Sequence, residues 1–110
     1  MTKDVGNIWN TELTRQLAEA TTSITDVSSM QNFLRDVMTE KEIIEISGRL
    51  EAARMLSDGA KYKDITEQTK LSSRTVARIS DWLRNGCNGY PVALTIITSH
   101  HSHSPPARAT

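Results

Sequence analysis

Residues 62–83 read YKDITEQTKLSSRTVARISDWL, and this stretch decides the fold class. It has the layout of a helix-turn-helix, in which a short helix, a tight turn and a second helix share one apolar inner face. Ile65 lies on the first helix, Leu71 in the turn, and Val76 and Ile79 on the second helix. We therefore predict a helix over 62–69, a turn at Lys70 and Leu71, and a second helix capped by Ser72 and ended by Gly86.

The outer face of the second predicted helix carries small residues, hydroxyls and two arginines. No carboxylate occurs between Ser72 and Ser80, whereas an ordinary solvated helix face mixes charges of both signs. Arginine and hydroxyl side chains are suited to the base edges of the DNA major groove. With two lysines at or just before the start of the preceding helix, the predicted DNA-contacting residues are Lys61, Lys63, Ser72, Ser73, Arg74, Thr75, Ala77 and Arg78.

Charge distribution supports a local contact with a polyanion, although the chain as a whole is neutral with 13 basic and 13 acidic residues. Residues 1–60 contain six Lys or Arg against ten Asp or Glu, whereas residues 61–84 contain six against three. Overall neutrality keeps a second interpretation open. In it the chain is a helical dimerisation or interaction module that does not bind DNA.

The rest of the chain also has helical periodicity. We predict a first helix capped by Asn7, a break over 21–23, and a second helix that begins with a capping box at Ser28 and Gln31. A long helix over 40–58 follows, begun by Thr39 with Glu42 and ended by Gly59. For residues 92–98 a helix with Pro91 at its first position and a β-strand both remain open.

Composition limits the other functions. The 110 residues contain one cysteine and no long apolar run, which argues against a disulfide framework, a cysteine-rich zinc site and a membrane span. The apolar content is small, which favours an oligomer. The N-terminus lacks a secretory h-region, so a cytoplasmic protein is expected. We predict a single helical domain over 1–98 and a polar tail over 99–110. Because His100, His101 and His103 fall in that tail, we predict no metal site. We also predict no enzyme activity.

Residues 39–83 and the segment after them resemble the tryptophan repressor family, and more closely its YerC/YecD-type relatives. The resemblance rests on five segments: MTEKEI at 38–43, RLEAARML at 49–56, YKDI at 62–65, SRTVARI at 73–79 and NGCNGYPVAL at 85–94. The resemblance implies an all-α fold of five to six helices, interlocked in a homodimer. It implies a sequence-specific repressor that reads a palindromic operator in double-stranded DNA.

The resemblance also implies a corepressor pocket, whose counterparts here are Thr39, Arg49, Thr75 and Arg78. Two positions depart from the family pattern: Ile79 stands where a glycine lines the indole slot, and Trp82 stands where a serine meets the ligand. Both replacements add bulk where an indole would lie, so we expect no L-tryptophan binding and no cofactor. Another small effector remains open.

Overall fold

The computed structural model describes the backbone of residues 5–101 and the side chains of residues 7–99. Within this range every regular element is a helix, which confirms the all-α prediction, and no helix there is long and apolar enough to cross a membrane. Six helices have eight residues or more, and a four-residue helix precedes them. The elements are α1 (Val5–Ile8), α2 (Glu12–Ser23), α3 (Val27–Val37), α4 (Glu40–Ser57), α5 (Tyr62–Thr69), α6 (Ser73–Asn85) and α7 (Gly89–His101).

The chain divides into two compact units, Met1–Glu45 and Ile46–Thr110, which we call the N-terminal unit and the C-terminal unit. The boundary falls within α4. In the C-terminal unit, α4, α5 and α6 enclose a small core whose members are at most 9% exposed: Ala52, Ala53, Met55, Ile65, Val76 and Ile79. Leu71, Leu83, Tyr90 and Leu94 pack against this core.

Helices α2 and α3 of the N-terminal unit bury none of their residues. Leu13 is 77% exposed and Val27 is 73% exposed, although both lie on helices with a clear apolar face. The apolar face of this unit is thus largely uncovered within a single chain.

The N-terminal helix boundaries differ from the sequence prediction. Thr11, rather than Asn7, caps the first long helix, since its Oγ1 accepts a hydrogen bond from the Thr14 amide at 3.2 Å. That helix continues through the predicted break to Ser23, and within it the hydroxyls of Thr21 and Thr22 donate to the Ala18 carbonyl. Asp26 replaces Ser28 as the cap of α3, because a carboxylate at a helix N-terminus is favoured over a hydroxyl by its charge.

The predicted ends of α4 are confirmed. Thr39 and Glu42 form a reciprocal capping box, in which the Glu42 amide donates to Thr39 Oγ1 at 3.1 Å and the Thr39 amide donates to Glu42 Oε1 at 2.9 Å. At the other end Gly59 has a φ of +84°, and the Ala60 amide donates to the Met55 carbonyl at 3.0 Å. This left-handed Schellman closure requires the freedom of glycine.

The last segment is a helix and not a strand. Helix α7 begins at Gly89, so Pro91 is its third residue rather than its first. Contact of Tyr90 and Leu94 with the core outweighs the strand propensity of the β-branched residues. Residues 99–101, which the sequence placed in the polar tail, belong to this helix, and residues 102–110 with His103 lie outside the described range.

Candidate nucleic-acid interface

Helices α5 and α6 form the predicted helix-turn-helix. Ile65 of α5 and both Val76 and Ile79 of α6 have no exposed surface, as their spacing predicted. Ser72 caps α6 as predicted, because its Oγ accepts a hydrogen bond from the Thr75 amide at 3.1 Å. The buried side of each helix is therefore fixed, and this determines which side chains point outward.

The turn between the two helices contains a left-handed lysine. Lys70 has φ of 65° and ψ of 14°, and its amide donates to the Thr66 carbonyl at 2.9 Å. The hydroxyl of Thr69 donates to the Ile65 carbonyl at 2.7 Å and accepts from the Leu71 amide at 3.3 Å. These hydrogen bonds fix the turn with Lys70 in the left-handed conformation, which favours glycine.

Seven of the eight predicted DNA-contacting residues are exposed, and the eighth is half-buried. The exposed residues are Lys61, Lys63, Ser72, Ser73, Arg74, Ala77 and Arg78. The half-buried one, Thr75, lies in the capped first turn, where its Oγ1 is 3.1 Å from Ser72 Oγ. Thr75 therefore stabilises the start of α6, and the outward face is formed by its neighbours.

The charge of α6 changes along its length. Its first turn contains no acidic residue, and its first carboxylate is Asp81, whose Oδ1 accepts a hydrogen bond from Asn85 Nδ2 at 2.9 Å. A polyanion is thus favoured near Arg74 and Arg78, whereas the C-terminal part of the helix carries Asp81 and Arg84 and has no net charge. This polarity matches the way in which a reading helix enters the major groove with its N-terminal residues.

The structure places the four residues of the predicted effector pocket on two helices: Thr39 caps α4, Arg49 lies on α4, and Thr75 and Arg78 lie on α6, so a shared pocket stays a prediction. An apolar groove of about 580 Å³ in the C-terminal unit includes Arg49 among its lining residues, and neither Thr75 nor Arg78 is among those described. Thr39 belongs to the N-terminal unit, where it caps α4. Arg78 lies on the exposed face of α6.

Of the predicted effector residues, Arg49 lines this groove, which is formed by α4, the end of α6 and the start of α7. The groove is lined by Ile46, Arg49, Leu50, Trp82, Gly86, Cys87, Gly89, Tyr90 and Ala93. The Arg49 Nε is buried. Burial raises the pKa of the Tyr90 hydroxyl, and the positive charge of Arg49 partly opposes that shift.

Ile79 and Trp82, the two bulky residues that depart from the family pattern, differ in burial. Ile79 is fully buried in the core, whereas Trp82 is 39% exposed and forms one wall of the groove. The groove is therefore lined, rather than filled, by the indole of Trp82. Sequence reasoning missed Cys87 and Tyr90 as lining residues, because their approach to α4 depends on how the 86–88 loop returns the chain into α7.

No group of His, Cys, Asp or Glu within the described part of the chain has the arrangement of a metal site. The side chains of His100, His101 and His103 lie outside that part. Cys87 is exposed.

Comparisons with known proteins agree in pointing to one family. The family model described as Trp repressor protein matches residues 12–97. The chain is 33% identical over 89 residues to the uncharacterized protein YerC of Bacillus subtilis, covering 81% of this chain and 86% of that protein. It also matches the crystal structure of a TrpR-like protein from Eubacterium eligens, with a TM-score of 0.77 and 34% identity, over 83% of this chain and 94% of that one.

Proposed function

This chain belongs to the Trp repressor family, and from that premise we propose that it is a DNA-binding transcriptional regulator, a repressor that reads a specific operator through α6. The proposal describes a cytoplasmic binding protein and not an enzyme. One observation carries it. The exposed face of α6 presents Arg74 and Arg78 with no carboxylate in the helix before Asp81, and the inner residues Val76 and Ile79 are fully buried.

Each exposed group has a chemical counterpart on duplex DNA. An arginine can donate two hydrogen bonds to the O6 and N7 of guanine, and a serine hydroxyl can pair with several base edges. The methyl group of Ala77 lies between the two arginines in sequence and can contact the methyl group of thymine. Lys61 and Lys63 at the start of α5 would bind phosphates and contribute affinity without sequence preference.

The uncovered apolar faces of α2 and α3 support a homodimer. Leu13, Leu17 and Val27 are each about half exposed or more, and contiguous apolar surface of this kind is unfavourable in water. A second copy would cover these faces and present two reading helices. A two-fold symmetric protein would read a palindromic operator whose half-sites are about 34–36 Å apart, or a multiple of that distance.

The alternative is a helical interaction module that does not bind DNA. The observation that favours it is the net charge of zero, because nonspecific affinity for DNA derives largely from phosphate contacts. In this alternative the exposed apolar faces of the N-terminal unit are the functional surface and α6 is a solvated remnant.

Selection of bound sequences from a random duplex pool, followed by titration of variants, distinguishes the two. The parent should enrich a palindromic sequence and should bind it in a salt-dependent way. Arg74→Ala should reduce discrimination between the selected site and random DNA by about 1–3 kcal/mol, if Arg74 reads a guanine edge. Arg78→Ala tests the neighbouring position in the same way.

Arg35→Ala is the matched control, since it removes the same charge from an exposed position on α3, outside the helix-turn-helix. It should leave discrimination unchanged. Absence of binding by the parent at low salt would favour the interaction module. If both α6 variants bind the selected site as tightly as the parent, the assignment of α6 as the reading helix is wrong.

A further inference from the structure

Lys70 occupies a backbone conformation that an L-amino acid with a side chain disfavours. Its φ of 65° lies in the left-handed region, where Cβ approaches the following carbonyl oxygen and glycine or asparagine is preferred. The described residues contain one other non-glycine with positive φ, and it is an asparagine, Asn88. Lys70 is therefore the residue whose type fits its backbone least.

The neighbouring contacts impose this conformation. The Lys70 amide closes α5 on the Thr66 carbonyl, and Thr69 and Leu71 are fixed on either side by the Thr69 hydroxyl. Leu71 also packs against the core. Rotation of Lys70 out of the left-handed region would break these contacts, so the strain cannot relax locally.

The fold does not need the lysine side chain. Lys70 is exposed, and its ammonium has no ion-pair partner among residues 7–99. Glycine or asparagine would make the same backbone hydrogen bonds without the strain. A residue that disfavours its own backbone and contributes no side-chain contact to the fold indicates a role outside it.

The position of Lys70 indicates that role. It follows α5, which begins with the exposed Lys61 and Lys63, and it precedes Ser73 and Arg74 of α6 by three and four residues. From Gln68 to Ser80 the sequence contains three cationic residues and no carboxylate. When α6 enters a groove, the turn before it comes close to the phosphates that border that groove.

We propose that Lys70 binds a backbone phosphate of duplex DNA, and that the left-handed strain at this position is retained for that contact. The proposal rests on the proposed function and deepens it, since it assigns a phosphate contact to a turn residue that is not among the DNA-contacting residues predicted from the sequence. Binding of one phosphate releases counterions, so the contact contributes about 0.9 to the slope of log affinity against log salt for each reading helix.

The test compares three substitutions in the full-length chain on a mixed-sequence duplex of about 30 base pairs, between about 50 and 200 mM salt. Lys70→Gly and Lys70→Asn should raise the thermal midpoint of the free protein by about 2–4 °C, because they relieve the strain. Both should lower the salt slope by about 0.9 per reading helix. Lys70→Arg keeps the charge and should keep the midpoint and slope of the parent.

Arg35→Gln removes one charge from α3 and should leave the salt slope unchanged. If Lys70→Gly and Lys70→Asn melt higher but bind with the slope and affinity of the parent, the lysine contributes nothing to DNA binding and the proposal is overturned, while the proposed function stands. A parent chain that shows no salt-dependent binding overturns both.

Discussion

The two units of this chain use apolar residues in opposite ways. The C-terminal unit encloses Ile65, Val76 and Ile79 completely. The N-terminal unit leaves Leu13 and Val27 more than 70% exposed. The difference predicts that the C-terminal unit is stabilised mainly by its own packing, and that the N-terminal unit gains stability when a second surface covers its apolar face.

The strongest test of this comparison is assembly. Deleting residues 1–37 should abolish the soluble dimer. Within the full chain, Leu13→Lys should weaken the proposed dimer by about 2 kcal/mol, or about thirtyfold, because it places a charge where a second copy would bury the leucine. Sedimentation over a range of concentrations measures both effects.

Gln16→Lys introduces the same charge at an exposed polar position of α2 and should leave the dimer intact. A full-length parent that is monomeric at micromolar concentration would show that the exposed face of the N-terminal unit has another partner, or none.

Truncation of one side chain in each unit sharpens the comparison. Ile65→Ala should lower the free energy of unfolding by about 2–5 kcal/mol, since it opens a cavity in a closed core, and this loss should not change with protein concentration. Leu13→Ala should cost less, and its cost should depend on concentration if the residue is buried between two chains. Urea unfolding at two protein concentrations separates these cases. A concentration-dependent loss for Ile65→Ala would contradict the independence of the C-terminal core.

A smaller effect is expected from an ion-pair network on α4. Arg54 forms hydrogen bonds with Glu51 at 2.6 Å and Asp58 at 2.9 Å, and the hydrogen bond from Arg54 lowers the pKa of Glu51. A lowered folded-state pKa adds stability above the ordinary pKa of a glutamate, and this stability is lost as the pH falls through the folded-state value.

Because the side chains of Arg54 and Glu51 are 43% and 35% exposed, solvent screening limits the contribution to about 0.3–1 kcal/mol. Glu51→Gln should remove this part of the pH dependence when urea unfolding is compared at neutral and acidic pH. Glu19→Gln, an exposed carboxylate of α2, is the control. An identical pH profile for Glu51→Gln and the parent would contradict a stabilising ion pair.

The smallest expected effect is that of L-tryptophan, which should change neither the thermal midpoint nor the operator affinity at millimolar concentration. Trp82 already forms one wall of the groove in the C-terminal unit, and Arg78 lies outside it. A ligand at about 100 times its Kd would add about 2.7 kcal/mol to the folded state, so binding would be easily seen in a melting curve. A shift produced by L-tryptophan and by no other amino acid would show that Arg49 still serves a corepressor site.

The C-terminal unit was far more predictable from sequence than the N-terminal one. The helix over 62–69, the cap at Ser72 and the closure at Gly59 follow from local patterns in which the apolar face meets a core of the same chain. In the N-terminal unit several residues can cap a helix. The choice of Thr11 over Asn7, and of Asp26 over Ser28, depends on small differences that no buried contact reinforces.

The candidate interface was predictable because exposure follows from helical periodicity once the buried face is known. The groove was not, because its lining residues come from α4, α6, the 86–88 loop and α7. The path of that loop depends on Asn88 in the left-handed region and on where α7 begins, and residues 92–98 are compatible with a strand as well as a helix. Local sequence pattern therefore predicts which face of α6 is exposed, whereas the groove depends on tertiary contacts.

Two residues that line the groove can serve as spectroscopic probes of ligand binding there. Cys87, the single cysteine of the chain, is exposed and lines the groove together with Trp82. The other tryptophan, Trp9, belongs to the N-terminal unit. In a Trp9→Phe variant, the fluorescence of Trp82 and its quenching by a label on Cys87 would therefore report on this cavity alone, without the introduction of any new cysteine.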